Sequence, residues 1–107
     1  MRCMFYGCSS LKELNLNNFN TINVTTMYCM FYGCSKLKEL NLNNFDTINV
    51  TDMSYMFSKC KFFKELNISN FNINPNTEIA NMFLDCPRLI KSSKIRKITG
   101  EKSCICM

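Results

Sequence analysis

The last four residues, Cys104-Ile105-Cys106-Met107, fit the C-a-a-X pattern with methionine at X, the choice associated with farnesyl transfer. That chemistry needs an accessible thiol near the end of a flexible segment, and the Lys-rich stretch before Cys104 suits it. One lipid chain anchors only marginally and needs a second signal. Lys91, Lys94, Arg96, Lys97 and Lys102 offer one, since each cation near an anionic leaflet contributes about 1 kcal/mol. Cys104 is therefore the expected lipidation residue, and those five cations the expected membrane-contacting tail. Cys106 is an unusual second "a" residue, and bacteria do not prenylate.

The other cysteines form columns. Cys8, Cys34, Cys60 and Cys86 recur every 26 residues. A metal or redox ladder is one reading, but metal sites favour close Cys-x-x-Cys pairs, and none occurs. Cysteine packs well as a small hydrophobe, so the column reads as buried reduced thiols. Cys3 and Cys29 share a second column and read the same way. The chain has no histidine, which removes the commonest general base and metal ligand. With no nucleophile–base pair and no metal cluster, no enzyme, catalytic residue, cofactor or metal is expected. Asn23-Val24-Thr25, Asn49-Val50-Thr51 and Asn67-Ile68-Ser69 fit the N-glycosylation pattern. In the first two, Asn suits a turn and Thr a cap.

The elements that must position these residues repeat as well. Met4-Phe5 returns as Met30-Phe31, Met56-Phe57 and Met82-Phe83, and Leu11, Leu37, Phe63 and Leu89 keep the same interval. Leu40 and Leu42 alternate with polar neighbours, the period of a short strand with one buried face. Val50, Met53, Met56, Phe57 and Cys60 fall on one helical face, with Thr51 and Asp52 where an N-cap belongs. Residues 43–49 are turn chemistry holding two apolar anchors. One strand and one helix per unit, with Leu-x-x-Leu-x-Leu-x-x-Phe at the strand, predicts an α/β leucine-rich-repeat solenoid. Each 26-residue repeat would hold one short parallel strand plus one short helix, over about three and a half repeats.

The expected organisation is a solenoid over residues 1–91, with units starting near 4, 30, 56 and 82, and a basic flexible tail over 92–107. In the fourth unit Ser92 and Lys94 stand where earlier units carry Leu or Ile, so its strand should fray. The charge follows the same division. Residues 1–87 carry seven basic and seven acidic side chains, and the whole excess of +5 lies beyond them. A basic tail on a neutral body points to an acidic partner surface, such as a membrane leaflet. Nucleic acid is a weak alternative, because no aromatic residues interleave the tail cations.

Stacked strands would align Glu13, Glu39 and Glu65, then Asn15, Asn41 and Asn67, then Asn17, Asn43 and Ser69, along an open face. Glu13, Asn15, Asn17, Glu39, Asn41, Asn43, Glu65 and Asn67 are the candidate protein-binding residues, with a plain solvated face as the alternative. Like charges so stacked repel unless paired or screened, which a basic partner patch or a cation would relieve.

The runs Asn49-Val50-Thr51-Asp52-Met53-Ser54-Tyr55-Met56-Phe57 and Met30-Phe31-Tyr32-Gly33-Cys34-Ser35-Lys36-Leu37-Lys38-Glu39-Leu40-Asn41-Leu42 resemble the units of BspA-like leucine-rich-repeat surface proteins. The likeness covers roughly residues 1–91. It implies adhesion and protein interaction at a cell surface, without catalysis. The chain departs from that family in lacking a secretion signal and a full N-terminal cap, and its first apolar run is too short for a signal-peptide core.

Two functions follow as expectations. The first is a non-enzymatic protein-interaction module, its repeat face binding a protein and its Cys104 tail tethering it to the cytosolic face of a eukaryotic plasma membrane. The alternative is a fragment of an extracellular BspA-like adhesin array at a cell surface. Self-association through the uncapped N-terminal coil is a further expected contact.

Overall fold

The computed structural model describes residues 2–90 and 92–100. Regular elements among them are few: strand β1 (Glu39–Leu40), strand β2 (Glu65–Leu66) and helix α1 (Ser93–Thr99). The strands pair in parallel, Glu39 beside Glu65 and Leu40 beside Leu66. Isolated parallel bridges join Thr26 to Asp52 and Asp52 to Glu78. This corrects the expectation of an α/β leucine-rich-repeat solenoid. Each 26-residue unit was to contribute a strand and a helix, and the described residues form neither series. Strand pairing shrinks to two residues per strand, and the one helix lies beyond the expected repeats.

The physical reason lies in the Met-Phe stretch, where the spacing of buried residues predicts a helix over 50–60. Its buried face is real: Val50, Met53, Met56, Phe57 and Cys60 are all enclosed. Its backbone is not helical. Alternate amides close three-residue turns, as Met56 N–H to Met53 O (3.1 Å) and Ser58 N–H to Tyr55 O (3.2 Å). The amides between them point sideways, as Tyr55 N–H to Ala80 O (3.0 Å), Phe57 N–H to Met82 O (2.9 Å) and Lys59 N–H to Leu84 O (2.7 Å). An α-helix would send every amide to its own i−4 carbonyl. The expected N-cap is absent too: Asp52 accepts from Ser54 N–H (2.9 Å) within a turn.

Left-handed residues produce this alternation. Cys3, Cys29, Tyr55 and Asn81 sit at φ between 55° and 60°, and Gly7, Gly33, Lys59 and Asp85 at φ between 59° and 75°. Two left-handed residues, four positions apart in each Met-Phe stretch, reverse the local sense before a helical turn can propagate. Glycine adopts that φ without penalty, so Gly7 and Gly33 fit their places; Lys59 and Asp85 hold the same geometry at some cost.

Because the pattern repeats, the sideways amides of one segment meet carbonyls of the next. Phe5 N–H reaches Met30 O (2.8 Å), Phe31 N–H reaches Met56 O (2.9 Å) and Gly33 N–H reaches Ser58 O (2.8 Å). Four segments therefore lie side by side: residues 2–26, 27–52, 53–78 and 79–100. Between them runs one apolar core. Phe31, Phe57, Phe63, Met27, Met30, Met53, Met56 and Leu42 are almost wholly enclosed. Phe5, Phe31, Phe57 and Phe83 form a continuous stack, each pair of ring centres 5.5 Å apart and within 7° of parallel.

Phe57 touches a ring on both sides and also meets Phe63 edge-on at 5.8 Å. Phe57→Ala should therefore cost about 3–5 kcal/mol of unfolding free energy, read by urea denaturation. Leu84→Ala, at a residue 47% exposed, should stay within about 1 kcal/mol.

Candidate functional site

The face carrying the strands is built from the residues on either side of Leu40 and Leu66. Both leucines are buried, which turns Glu39 and Glu65 outward. Lys64 N–H donates to Lys38 O (2.9 Å) and Ile90 N–H to Lys64 O (2.8 Å), so the chains stay in register just before each glutamate. An open depression of about 870 Å³ spans three segments here. It is lined by Glu13, Glu39 and Glu65, by Lys12, Lys36, Lys38 and Lys64, and by Leu14, Asn41 and Phe62. Two smaller depressions adjoin the same residues. One, of about 470 Å³, includes Glu13, Asn15, Asn17 and Asn41; the other, of about 270 Å³, includes Glu39, Asn41, Asn43, Glu65 and Asn67. All eight candidate face residues thus line one or more of the three.

The lysines were missed from the sequence. Lys12, Lys38 and Lys64 form a column of their own, each directly before a glutamate. They place positive charge on the same face as the glutamate stripe, around the same depression. The asparagines are partly committed. The Oδ1 atoms of Asn15, Asn41 and Asn67 accept the backbone N–H of residues 17, 43 and 69 at 2.9–3.0 Å, fixing the turn that follows each strand position. Asn49, in a glycosylation-like triplet, donates through Nδ2 to Ile22 O (2.7 Å).

The expected tail residues separate. Lys91, Lys102 and Cys104 lie outside the described residues. Lys94, Arg96 and Lys97 belong to α1, so residues 93–99 of the segment expected to be flexible are helical. Ser92 Oγ accepts Ile95 N–H (3.3 Å) as N-cap, and Gly100 at φ 78° ends the helix. Ile95 is fully buried and Ile98 packs on the core. Lys94 faces inward, its ammonium donating to Ser69 O (3.2 Å) and Phe71 O. That completes a series, because Asn44 Nδ2 donates to Leu16, Asn17 and Phe19 carbonyls and Asn70 Nδ2 to those of Leu42 and Phe45. Arg96 and Lys97 stand in the last helical turn, where cations suit the carbonyl end.

Three thiols of the long cysteine column are enclosed, while Cys8, in the first segment, is only half-buried. Cys34, Cys60 and Cys86 donate their S–H to the carbonyls of Phe5, Phe31 and Phe57 at 2.9–3.2 Å. Burial, with a smaller push from the Cys8 thiol, raises Cys34 from 9.0 to about 11. Burial raises Cys60 as well, reinforced by the neighbouring Cys86 and Cys34 thiols. Such thiols stay protonated and do not attack. Among the described residues no group of three or more His, Cys, Asp or Glu side chains is placed to hold a metal. No helix among them is long and apolar enough to cross a membrane.

Residues 1–103 match the model of a family described as "Mycoplasma protein of unknown function, DUF285". No curated protein and no solved structure matches the chain. The family match agrees with the resemblance to BspA-like surface proteins at the level of a surface repeat family; it specifies no repeat type and no activity.

Two expected outcomes follow. Lys94→Met should cost about 1.5–3 kcal/mol, the range for charge-assisted bonds to backbone carbonyls, whereas Lys36→Met on the open face should be nearly neutral in the same thermal unfolding series. The unfolded Cys34 thiol ionises near 9 and the folded one near 11, so its contribution to stability is complete below about pH 9 and is lost as pH rises through 11. Urea midpoints of Cys34→Ala should fall less steeply across that window than those of the unaltered chain.

Proposed function

We propose, on the premise that this chain belongs to the DUF285 family, that it is a non-enzymatic protein-interaction segment of a cell-surface protein. Its binding face is the Glu, Lys and Asn surface over β1 and β2. The observation that carries the reading is the 870 Å³ depression, where three segments bring glutamates and lysines into matching columns with Leu14 and Phe62 beside them. A broad, open, mixed-charge groove with apolar patches suits an extended stretch of another protein better than a small molecule, which favours an enclosed and mostly apolar site. Parallel columns of opposite sign would set the direction and register of that stretch, and complementary charge would speed its arrival.

The lipid tether expected for the first of the two functions has less to rest on. Its second signal was to be the cations of a flexible tail, and Lys94 is engaged with two backbone carbonyls instead. An interaction segment needs no such tether.

The test is a random peptide library displayed on phage and selected on the folded chain, followed by amide-shift mapping of the best binder. Shifts should concentrate at residues 12–17, 36–43 and 62–67. Lys38→Glu combined with Glu65→Lys should weaken that binder by about tenfold or more, since each reversal replaces an attraction with a repulsion. Affinity should also fall as salt rises, because exposed charges are screened. Binders that map to the Met-Phe turns, or that ignore both reversals and salt, would refute the assignment.

A further inference from the structure

The two cysteine columns, alike in sequence, are unlike in structure. Cys34, Cys60 and Cys86 fill enclosed positions and donate to carbonyls. Cys3 and Cys29 occupy the left-handed position of the Met-Phe turn, with φ of 55° and 56°. Their column continues as Tyr55 and Asn81, so packing there does not demand a small apolar side chain. Cys3 is half-buried and Cys29 lies just beneath the surface, 5% exposed.

The two residues are held opposite one another. Cys3 N–H donates to Tyr28 O (2.8 Å) and Phe5 N–H to Met30 O (2.8 Å), which fixes the first two segments in register. Outside them the Tyr6 and Tyr32 rings stack 4.8 Å apart. Chains so paired run about 4.8 Å apart, within the roughly 4.4–6.8 Å between Cα atoms that a disulfide spans. Matching backbone angles start both side chains in the same direction, which leaves the Cβ atoms roughly 4.8 Å apart, so closing the bond draws the two segments together by several tenths of an ångström. The thiols already interact: burial raises Cys29 above its ordinary value, the Tyr28 side chain offsets part of that by hydrogen bonding, and the adjacent Cys3 thiol raises it again. Arg2, its guanidinium 4.5 Å from the Tyr28 ring centre, adds a smaller push toward the thiolate.

We propose that Cys3 and Cys29 are an oxidation site, closing to a disulfide that staples the first segment to the second when a small-molecule disulfide is supplied. The more accessible Cys3 loses its proton to water, and its sulfur attacks one sulfur of the oxidant. The oxidant's S–S bond breaks, one small thiolate leaves, and a mixed disulfide remains on Cys3. Cys29, deprotonated in turn, attacks the Cys3 sulfur; the Cys3–Cys29 bond forms and the second small thiolate leaves. The protein loses two protons and two electrons, and one oxidant molecule becomes two thiols. The staple closes over the part of the core that is least covered, since Phe5, Leu11 and Phe19 are only partly buried whereas Phe31, Leu37 and Phe45 are enclosed.

The test uses the full reduced chain incubated with oxidised glutathione and followed by intact mass and peptide mapping. The expected product is lighter by two hydrogen atoms at this pair, carries no glutathione there, and links residue 3 to residue 29. It should form about tenfold or more faster than any linkage involving Cys34 or Cys60, whose thiols are enclosed. Cys29→Ser should stop the reaction with glutathione retained on Cys3, whereas Cys8→Ser should leave the linkage intact. A chain that keeps glutathione on both residues, links Cys3 elsewhere, or does not react at this pair would overturn the proposal.

Discussion

Four phenylalanines stacked at 5.5 Å govern the arrangement of this chain. Offset, nearly parallel rings are a favourable aromatic geometry, and each ring also removes a large apolar area from water. Their spacing is compatible with that of hydrogen-bonded neighbouring chains, so stacking and backbone pairing are satisfied by one register. Sliding one segment against the next by a single residue would break the ring stack and the sideways amide bonds together. The columns of Met, Leu and Cys around the rings then fall into contact without further specification.

Polar groups within the stack obey the same interval. Thr21 is buried and both donates to Asp46 O and accepts from Asp46 N–H, while buried Thr47 accepts from Asn72 N–H. Asn44 and Asn70 bind the carbonyls exposed where each chain turns away from its strand position. Lys94 closes this series from α1, with a cation in place of an amide. No buried side-chain nitrogen or oxygen among the described residues is left without a partner, as a core of stacked turns requires if it is to avoid large desolvation penalties.

The columns were legible in the sequence because a strict 26-residue interval leaves one register for core residues. The backbone that carries them was not. Steps of three between Val50, Met53 and Met56 suit a helix and equally suit successive three-residue turns, and apolar spacing cannot separate the two. The informative signal was Gly7 and Gly33 in one column, which marks a left-handed position; Lys59 and Asp85 obscure it by holding the same φ without being glycine. Helix α1 was overlooked for a related reason. Loss of the repeat at Ser92 and Lys94 reads as decay, although Ser92 and Gly100 bracket the helix as its caps. The eight face residues were legible as stripes, and the intervening lysines were not weighed with them.

Side-by-side pairing of turns is the claim on which the face, the buried thiols and the Cys3–Cys29 pair all rest. Through-hydrogen-bond scalar couplings between amide nitrogen and carbonyl carbon test it most directly. Paired turns give couplings from Phe31 N to Met56 C′ and from Phe57 N to Met82 C′. Couplings from those nitrogens to the carbonyls of Met27 and Met53, four residues back as in an α-helix, would contradict it.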